Sequence, residues 1–277
     1  MSKHIQTNQS QLEILPERGG IIVSWLVKGQ EIFYLDKERL KDPQLSVRGG
    51  VPILFPICGN LPNDTYTLNG QEYKLKQHGF ARDLPWFVKE DNVTPEKASV
   101  TLVLNSNEQT RAVYPFDFTV TYTYLIQGNS LEIQQQYTNN SSAPMPCSFG
   151  FHPYFAAQDK SKLEFQIPSG QYQAKNSQTV ESFDGNFDFS VDEIDVAFNQ
   201  LSGTSTSVVD NHRKLKLTID YDRLFSTLVF WTVKGKDFYC LEPWSAPRNA
   251  MNTKENLSVV QPGEDLKANV RLSANFF

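Results

Sequence analysis

Cysteine is scarce in this chain of 277 residues: Cys58, Cys147 and Cys240 stand about ninety residues apart. That odd number and wide spacing exclude a disulfide framework and a paired zinc knuckle, so buried thiols are expected. Long apolar runs are also missing. The longest, around 21–27 and 51–58, are far shorter than a bilayer span and are interrupted by Ser, Trp or Pro, so no membrane is expected as a partner. No continuous run of lysine and arginine occurs, and 31 acidic against 26 basic residues leave a formal net charge of -5, which argues against nucleic acid. The opening MSKHIQTNQSQLE lacks the apolar core of a secretory signal, so a cytoplasmic location is expected. No internal repeat, low-complexity tract or break in composition marks a linker, and a single domain over 1–277 follows.

What the chain does have is material for a large core, with 39% apolar residues, 19 Phe, 11 Tyr and 4 Trp. From Ser99 onward the apolar period is two. Phe118, Val120, Tyr122, Tyr124 and Ile126 alternate with Thr119, Thr121 and Thr123, and after a turn at Gln127-Gly128-Asn129 the alternation resumes through Leu131, Ile133, Gln135 and Tyr137. Residues 162–167 and 214–220 repeat it, and 228–231 and 238–241 predict two further strands around a turn at 234–236. Earlier, 20–35 predicts an opening hairpin with its turn at 28–30. One short helix is expected near 107–113, and 270–272 is expected to close a sheet. The stretch 169–200 predicts a polar, irregular excursion. The sum is an all-β protein, a large antiparallel β-sandwich.

Several residues resist absorption into that pattern. His152 lies in CSFGFHPYF, wrapped by Phe149, Phe151, Tyr154 and Phe155; Glu242 ends the apolar run of YCLEPW and is followed by Trp244. An aromatic-flanked histidine is more often a packed core residue, and a glutamate before Pro-Trp can simply end a strand. As a pair, however, they offer an acid and a base. Arg48 is the only charge in LSVRGGVPILFPICGNL: either a salt bridge at a strand end or a guanidinium aimed into a pocket. His78 and Arg82 share QHGFARD without an amphipathic period, and Asp195 opens DVAF at the end of the excursion.

In this order and spacing, SVRGGVPILFP, QHGFARD, SFGFHPYF, DVAF and CLEPW resemble the aldose 1-epimerase (galactose mutarotase) family, and HGFAR with RGGVP is also similar to its hexose-6-phosphate 1-epimerase branch. The resemblance implies a β-sandwich that holds a monosaccharide and exchanges its α and β anomers without metal or organic cofactor. It implies Glu242 as the general base on the anomeric hydroxyl and His152 as the general acid on the ring oxygen. His78 joins them as a third candidate at the reacting end, supporting the ring oxygen or sugar hydroxyls with Arg48 and Asp195. Arg82 and Trp244 complete the substrate-binding candidates, and the arginines suit a 6-phosphate.

Chemistry agrees with this expectation, because opening a hemiacetal needs one proton removed and one supplied, and such a pair contributes roughly 10²–10⁴-fold in rate. Each partner is expected to hold the other in its charged state. A glycosidase, with Glu242 and Asp195 as its two carboxylates, and a non-catalytic sugar-binding module are the rival classes.

Overall fold

The alternation read along 118–126 is realised in full: the five apolar side chains are buried, and the three threonines between them are partly exposed. Strand Phe118–Gln127 turns at Gly128 into Ser130–Asn139, in unbroken antiparallel register from Phe118 opposite Asn139 to Gln127 opposite Ser130. The structure, a computed structural model, describes residues 2–42 and 45–277. In it these two strands belong to an eight-stranded antiparallel sheet with the spatial order Leu163–Gln166, Ser205–Asp210, Leu215–Tyr221, Asp265–Phe276, Ser130–Asn139, Phe118–Gln127, Lys97–Asn105, Phe87–Val93. The inward Gln135 is satisfied within the core, where Tyr137 donates to its Oε1 at 3.0 Å and the Tyr137 and Tyr122 hydroxyls meet at 2.6 Å.

A second eight-stranded sheet packs on the first and is made of shorter pieces. Its order is Val180–Ser182, Gln171–Ala174, Glu193–Phe198, Thr227–Val233, Phe238–Trp244, Gly150–Phe151, Ile53–Leu54, with Tyr154–Ala156 also pairing with Phe238–Trp244. One-residue alternation sorts its side chains. Phe230, Tyr239 and Leu241 face the first sheet, and the Phe165 ring from that sheet meets Phe230 at 5.2 Å and Tyr239 at 5.9 Å. Tyr137 stacks on Phe149 at 4.4 Å, continuing the aromatic layer between the sheets. The intervening residues, Trp231, Cys240, Glu242 and Trp244, therefore look out of the sandwich on the other side.

Five local expectations change. The 20–35 hairpin is preceded by strands Lys3–Gln6 and Ser10–Leu15, with which Ile21–Val27 and Gln30–Glu31 form a four-stranded sheet. Its second arm stops at Glu31, whose carboxylate takes the backbone N–H groups of Trp25 and Phe33 and shares that of Ile32 with the Trp25 carbonyl. The excursion at 169–200 is not wholly irregular, since it supplies three strands of the second sheet. Residues 270–272 lie within a twelve-residue strand, Asp265–Phe276, in the interior of the first sheet rather than at its margin. Two further short helices, Lys37–Lys41 and Ala250–Thr253, accompany the expected Glu108–Val113, which Asn107 caps by accepting from the Thr110 N–H. All three cysteines are buried free thiols.

Candidate active site

Glu242 is placed by strand Phe238–Trp244, whose outward residues are held between flanking strands on both sides. Its carboxylate is 1% exposed, and Trp244 Nε1–H donates to Oε2 at 3.1 Å, leaving Oε1 to face His152. His152 sits in the short link between strands Gly150–Phe151 and Tyr154–Ala156, anchored by its backbone N–H to the Pro52 carbonyl at 3.1 Å. Its ring stacks on Tyr154 at 4.8 Å and meets the edge of Trp231 at 5.5 Å. Held this way, Nε2 lies 3.3 Å from Glu242 Oε1.

His78 approaches from a tight left-handed turn, with φ of 69° at His78 and 70° at Gly79. Glycine is required at 79, since a Cβ there would lie 2.2 Å from the Phe55 carbonyl oxygen. The turn locks to residue 59 twice: His78 N–H donates to the Gly59 carbonyl at 2.7 Å, and Gly59 N–H donates to His78 Nδ1 at 3.1 Å. With Nδ1 accepting, the neutral ring carries its proton on Nε2. The His78 ring is 5.6 Å from that of His152 and 5.5 Å from that of Trp244.

Asp195, on strand Glu193–Phe198, is clamped by two cations: Arg248 Nη2 at 2.6 Å from Oδ1 and Lys175 Nζ at 3.0 Å from Oδ2. Arg248 also lies over the Trp244 ring at 5.1 Å. Arg82 donates from Nη2 to the Gln77 carbonyl at 2.9 Å, while Arg48 makes no side-chain hydrogen bond or ion pair among the described residues. All these residues line one cavity of about 340 Å³, within the usual range for small-molecule sites. Three of its buried nitrogens, Arg82 Nε, Arg248 Nε and His152 Nδ1, have no hydrogen-bond partner among the described residues.

Burial governs the electrostatics. It lifts Glu242 well above the usual carboxylate range, with Asp195 adding to the effect and Arg248 opposing it. Burial, and after it the charge of Arg82, pushes His152 down to about 3. Burial likewise holds His78 well below its ordinary value, with His152 and Arg82 contributing. Both shifts run against the expectation that each partner holds the other charged: burial is the largest cause at Glu242 and at His152, and at each it disfavours the charged form.

The seven residues singled out in the sequence, His78, His152, Glu242, Arg48, Arg82, Asp195 and Trp244, all border this cavity. Trp244 is 1% exposed and holds the carboxylate, whereas Trp231 is the partly exposed aromatic. Phe151, one of the aromatics that flank His152 in the sequence, lies in the core against Tyr122 at 5.8 Å. Sequence reading missed Lys175, Glu193 and Trp231. The last two had a signal in the sequence, since Glu193 stands two residues before Asp195 and Trp231 ends the predicted strand 228–231; in the structure Trp231 is in register with Asp195 and donates from Nε1 to the Glu193 carboxylate at 2.6 Å.

A buried carboxylate and an imidazole 3.3 Å apart on the outer face of a β-sandwich sheet set a proton acceptor beside a proton donor in a polar cavity. The family model described as aldose 1-epimerase matches residues 4–273, and the chain belongs to that family. Among solved structures it is similar to the Slr1438 protein of Synechocystis sp. PCC 6803, at 42% identity and TM-score 0.97, over 100% of this chain and 96% of that one. A galactose mutarotase related enzyme of Lactobacillus acidophilus shares the fold at TM-score 0.81 and 24% identity, over 99% of this chain and 97% of that one. Among curated proteins, one from Cenchrus ciliaris named "Putative glucose-6-phosphate 1-epimerase" is 27% identical over 279 residues, covering 92% of this chain and 79% of its own.

Proposed function

We propose that the protein is an aldose 1-epimerase that opens and recloses the ring of a hexose with Glu242 as base and His152 as acid. The observation that carries this reading is the 3.3 Å contact between Glu242 Oε1 and His152 Nε2 in a cavity otherwise lined by hydrogen-bonding groups. The pair holds one proton in its resting form. Transfer of that proton from Glu242 to His152 across the contact yields the working state, with sugar hydroxyls replacing the lost hydration of both charges.

Glu242 then accepts the proton of the anomeric hydroxyl while His152 protonates the ring oxygen. The C1–O bond to the ring breaks and leaves an open-chain aldehyde. Rotation about C1–C2 presents the other carbonyl face, and reversal of both transfers closes the opposite anomer. The neutral Nε2–H of His78 serves as a hydrogen-bond donor to the sugar near the ring oxygen, a role that a fixed tautomer suits. Asp195, aligned by Lys175 and Arg248, accepts from hydroxyls; both of its oxygens are already engaged by those two cations, so it is not a free second carboxylate, which disfavours the glycosidase reading.

A second reading, that the hexose carries a 6-phosphate, is favoured by Arg48 and Arg82. One guanidinium has no side-chain partner among the described residues and the other is only partly satisfied, and such forks match phosphate oxygens. NMR exchange between anomers of galactose, glucose and glucose 6-phosphate, each against the uncatalysed rate in the same buffer, tests both. Acceleration of free sugars supports the broad enzyme, and acceleration confined to the phosphate supports the second reading. No acceleration of any of the three sinks the first.

A further inference from the structure

The strand that presents Glu242 to the cavity presents Cys240 on the same side, because every second side chain on a strand returns to one face. Cys240 stands in register between Tyr154 and Trp231 on the two neighbouring strands, and the His152 ring rests against those same two aromatic rings. One donor atom each from His152, Cys240 and Glu242 lies within 4.8 Å of the others. The proton transfers described above make no use of the thiol.

We propose that His152, Cys240 and Glu242 form a site for a thiophilic divalent cation, zinc or cadmium, whose binding shuts off the acid–base pair. Imidazole nitrogen, thiolate sulfur and carboxylate oxygen are ligands that zinc takes at about 2.0–2.3 Å, and three of them leave one tetrahedral position open. Drawing the donors onto one ion requires them to close by roughly 1 Å, a movement within reach of side-chain torsions. The Trp244 N–H on Oε2 orients the carboxylate so that Oε1 is turned toward the ion, the outer support typical of such centres.

Access is from the cavity side. The His152 side chain is 13% exposed while Cys240 is fully buried and Glu242 nearly so, which directs entry past the imidazole and turns the open position to the cavity. Arg82 and Arg248 border that cavity and oppose a cation, and Asp195 offsets part of their charge, so binding is weaker than at a closed structural centre. Coordination by imidazole, thiolate and carboxylate releases two protons to solvent, the thiol's and the one held by the His152–Glu242 pair, and moves no electrons. With the ion in place Glu242 cannot accept the anomeric proton and His152 cannot deliver one, so cation and sugar compete.

Only the effect on turnover rests on the proposed epimerase activity; coordination has its own readout. The intact protein is titrated with cadmium alone, following the thiolate-to-cadmium ultraviolet band, and anomer exchange is measured under added zinc. One equivalent of cadmium is expected to develop the band in the unsubstituted protein, in Cys58→Ser and in Cys147→Ser, but not in Cys240→Ser. Zinc is expected to inhibit exchange competitively, with Cys240→Ser needing at least tenfold more zinc while its metal-free exchange stays within twofold. Cys240→Ala, checked for native circular dichroism, repeats the test should the serine variant misfold. Absence of the band in the unsubstituted protein, or its persistence without Cys240, overturns the site. A Cys240-dependent band in a protein that accelerates no sugar would keep the site and discard the epimerase.

Discussion

The two eight-stranded sheets are nearly opposite solutions to one architecture. The first is built of long strands, seven to twelve residues in six of its eight members, paired in extended ladders, and its outward threonines and glutamines bond one another, as Thr101 does Thr123 at 2.9 Å. The second is a mosaic of strands two to seven residues long, drawn from positions as distant as Ile53–Leu54 and Phe238–Trp244, and its outer face carries the Glu242–His152 contact. Regular ladders bury apolar area and leave a single buried side-chain atom without a partner among the described residues, Asn269 Oδ1. The mosaic brings short, separately anchored segments to one point, and there it buries Glu242, His78 and most of His152, with two guanidinium nitrogens that lack partners among the described residues.

Substitution breaks the comparison most sharply at the pair. Glu242→Gln and His152→Asn are each expected to lower kcat/KM for anomer exchange by about 10²–10⁴-fold with native circular dichroism retained, whereas Thr121→Val on the first sheet changes it less than about twofold. Near-normal turnover in either folded pair variant, measured by NMR exchange, would remove the chemistry from the second sheet. The next largest effect falls on the turn that delivers His78. Gly79→Ala meets the Phe55 carbonyl and a left-handed backbone, and a loss of at least about 2 kcal/mol in denaturant unfolding is expected; an unchanged midpoint would show the turn to be pliable.

Arg48→Ala sharpens the comparison within the cavity. It is expected to raise KM for glucose 6-phosphate by about tenfold or more, in line with a hydrogen bond to a charged group, and that for free glucose by less than about threefold. Equal losses on both sugars would leave Arg48 without a phosphate role.

The smallest expected effect concerns stability and pH. Because burial raises the folded-state value of Glu242, the folded form holds that proton more tightly than the unfolded chain, so this group subtracts stability as pH rises from the ordinary carboxylate range toward its raised value. His152, depressed to about 3, acts in the opposite sense: the unfolded ring takes up its proton first, and stability is lost as pH falls from about 6.5, the unfolded value, toward 3. Glu242→Gln removes the first contribution alone. Its Tm relative to the unsubstituted protein should climb with pH above the carboxylate range and then level off; a difference independent of pH would mean that Glu242 is not held protonated.

The same contrast explains what the sequence disclosed. Strands of the first sheet were legible because one buried face imposes period two over many residues, as in 118–126. In the second sheet the motifs around His152 and Glu242 were conspicuous as chemistry out of place, but their meeting depends on pairing across some ninety residues, which no local period encodes. Lys175 was invisible for that reason: an ordinary lysine after a strand too short to show alternation, it matters only because it reaches Asp195. The early end of the hairpin at Glu31 was hidden as well, since a carboxylate that gathers three neighbouring backbone N–H groups leaves no trace in hydropathy.

Strand Asp265–Phe276 lies between Leu215–Tyr221 and Ser130–Asn139, its ladders running along both edges. During synthesis the two halves of the first sheet therefore emerge from the ribosome with facing raw edges and nothing to join them until residue 276 has cleared the exit tunnel. The fold cannot be completed from its N-terminal portion as the chain grows, and the edges of Ser130–Asn139 and Leu215–Tyr221 stay unpaired until Asp265–Phe276 arrives between them.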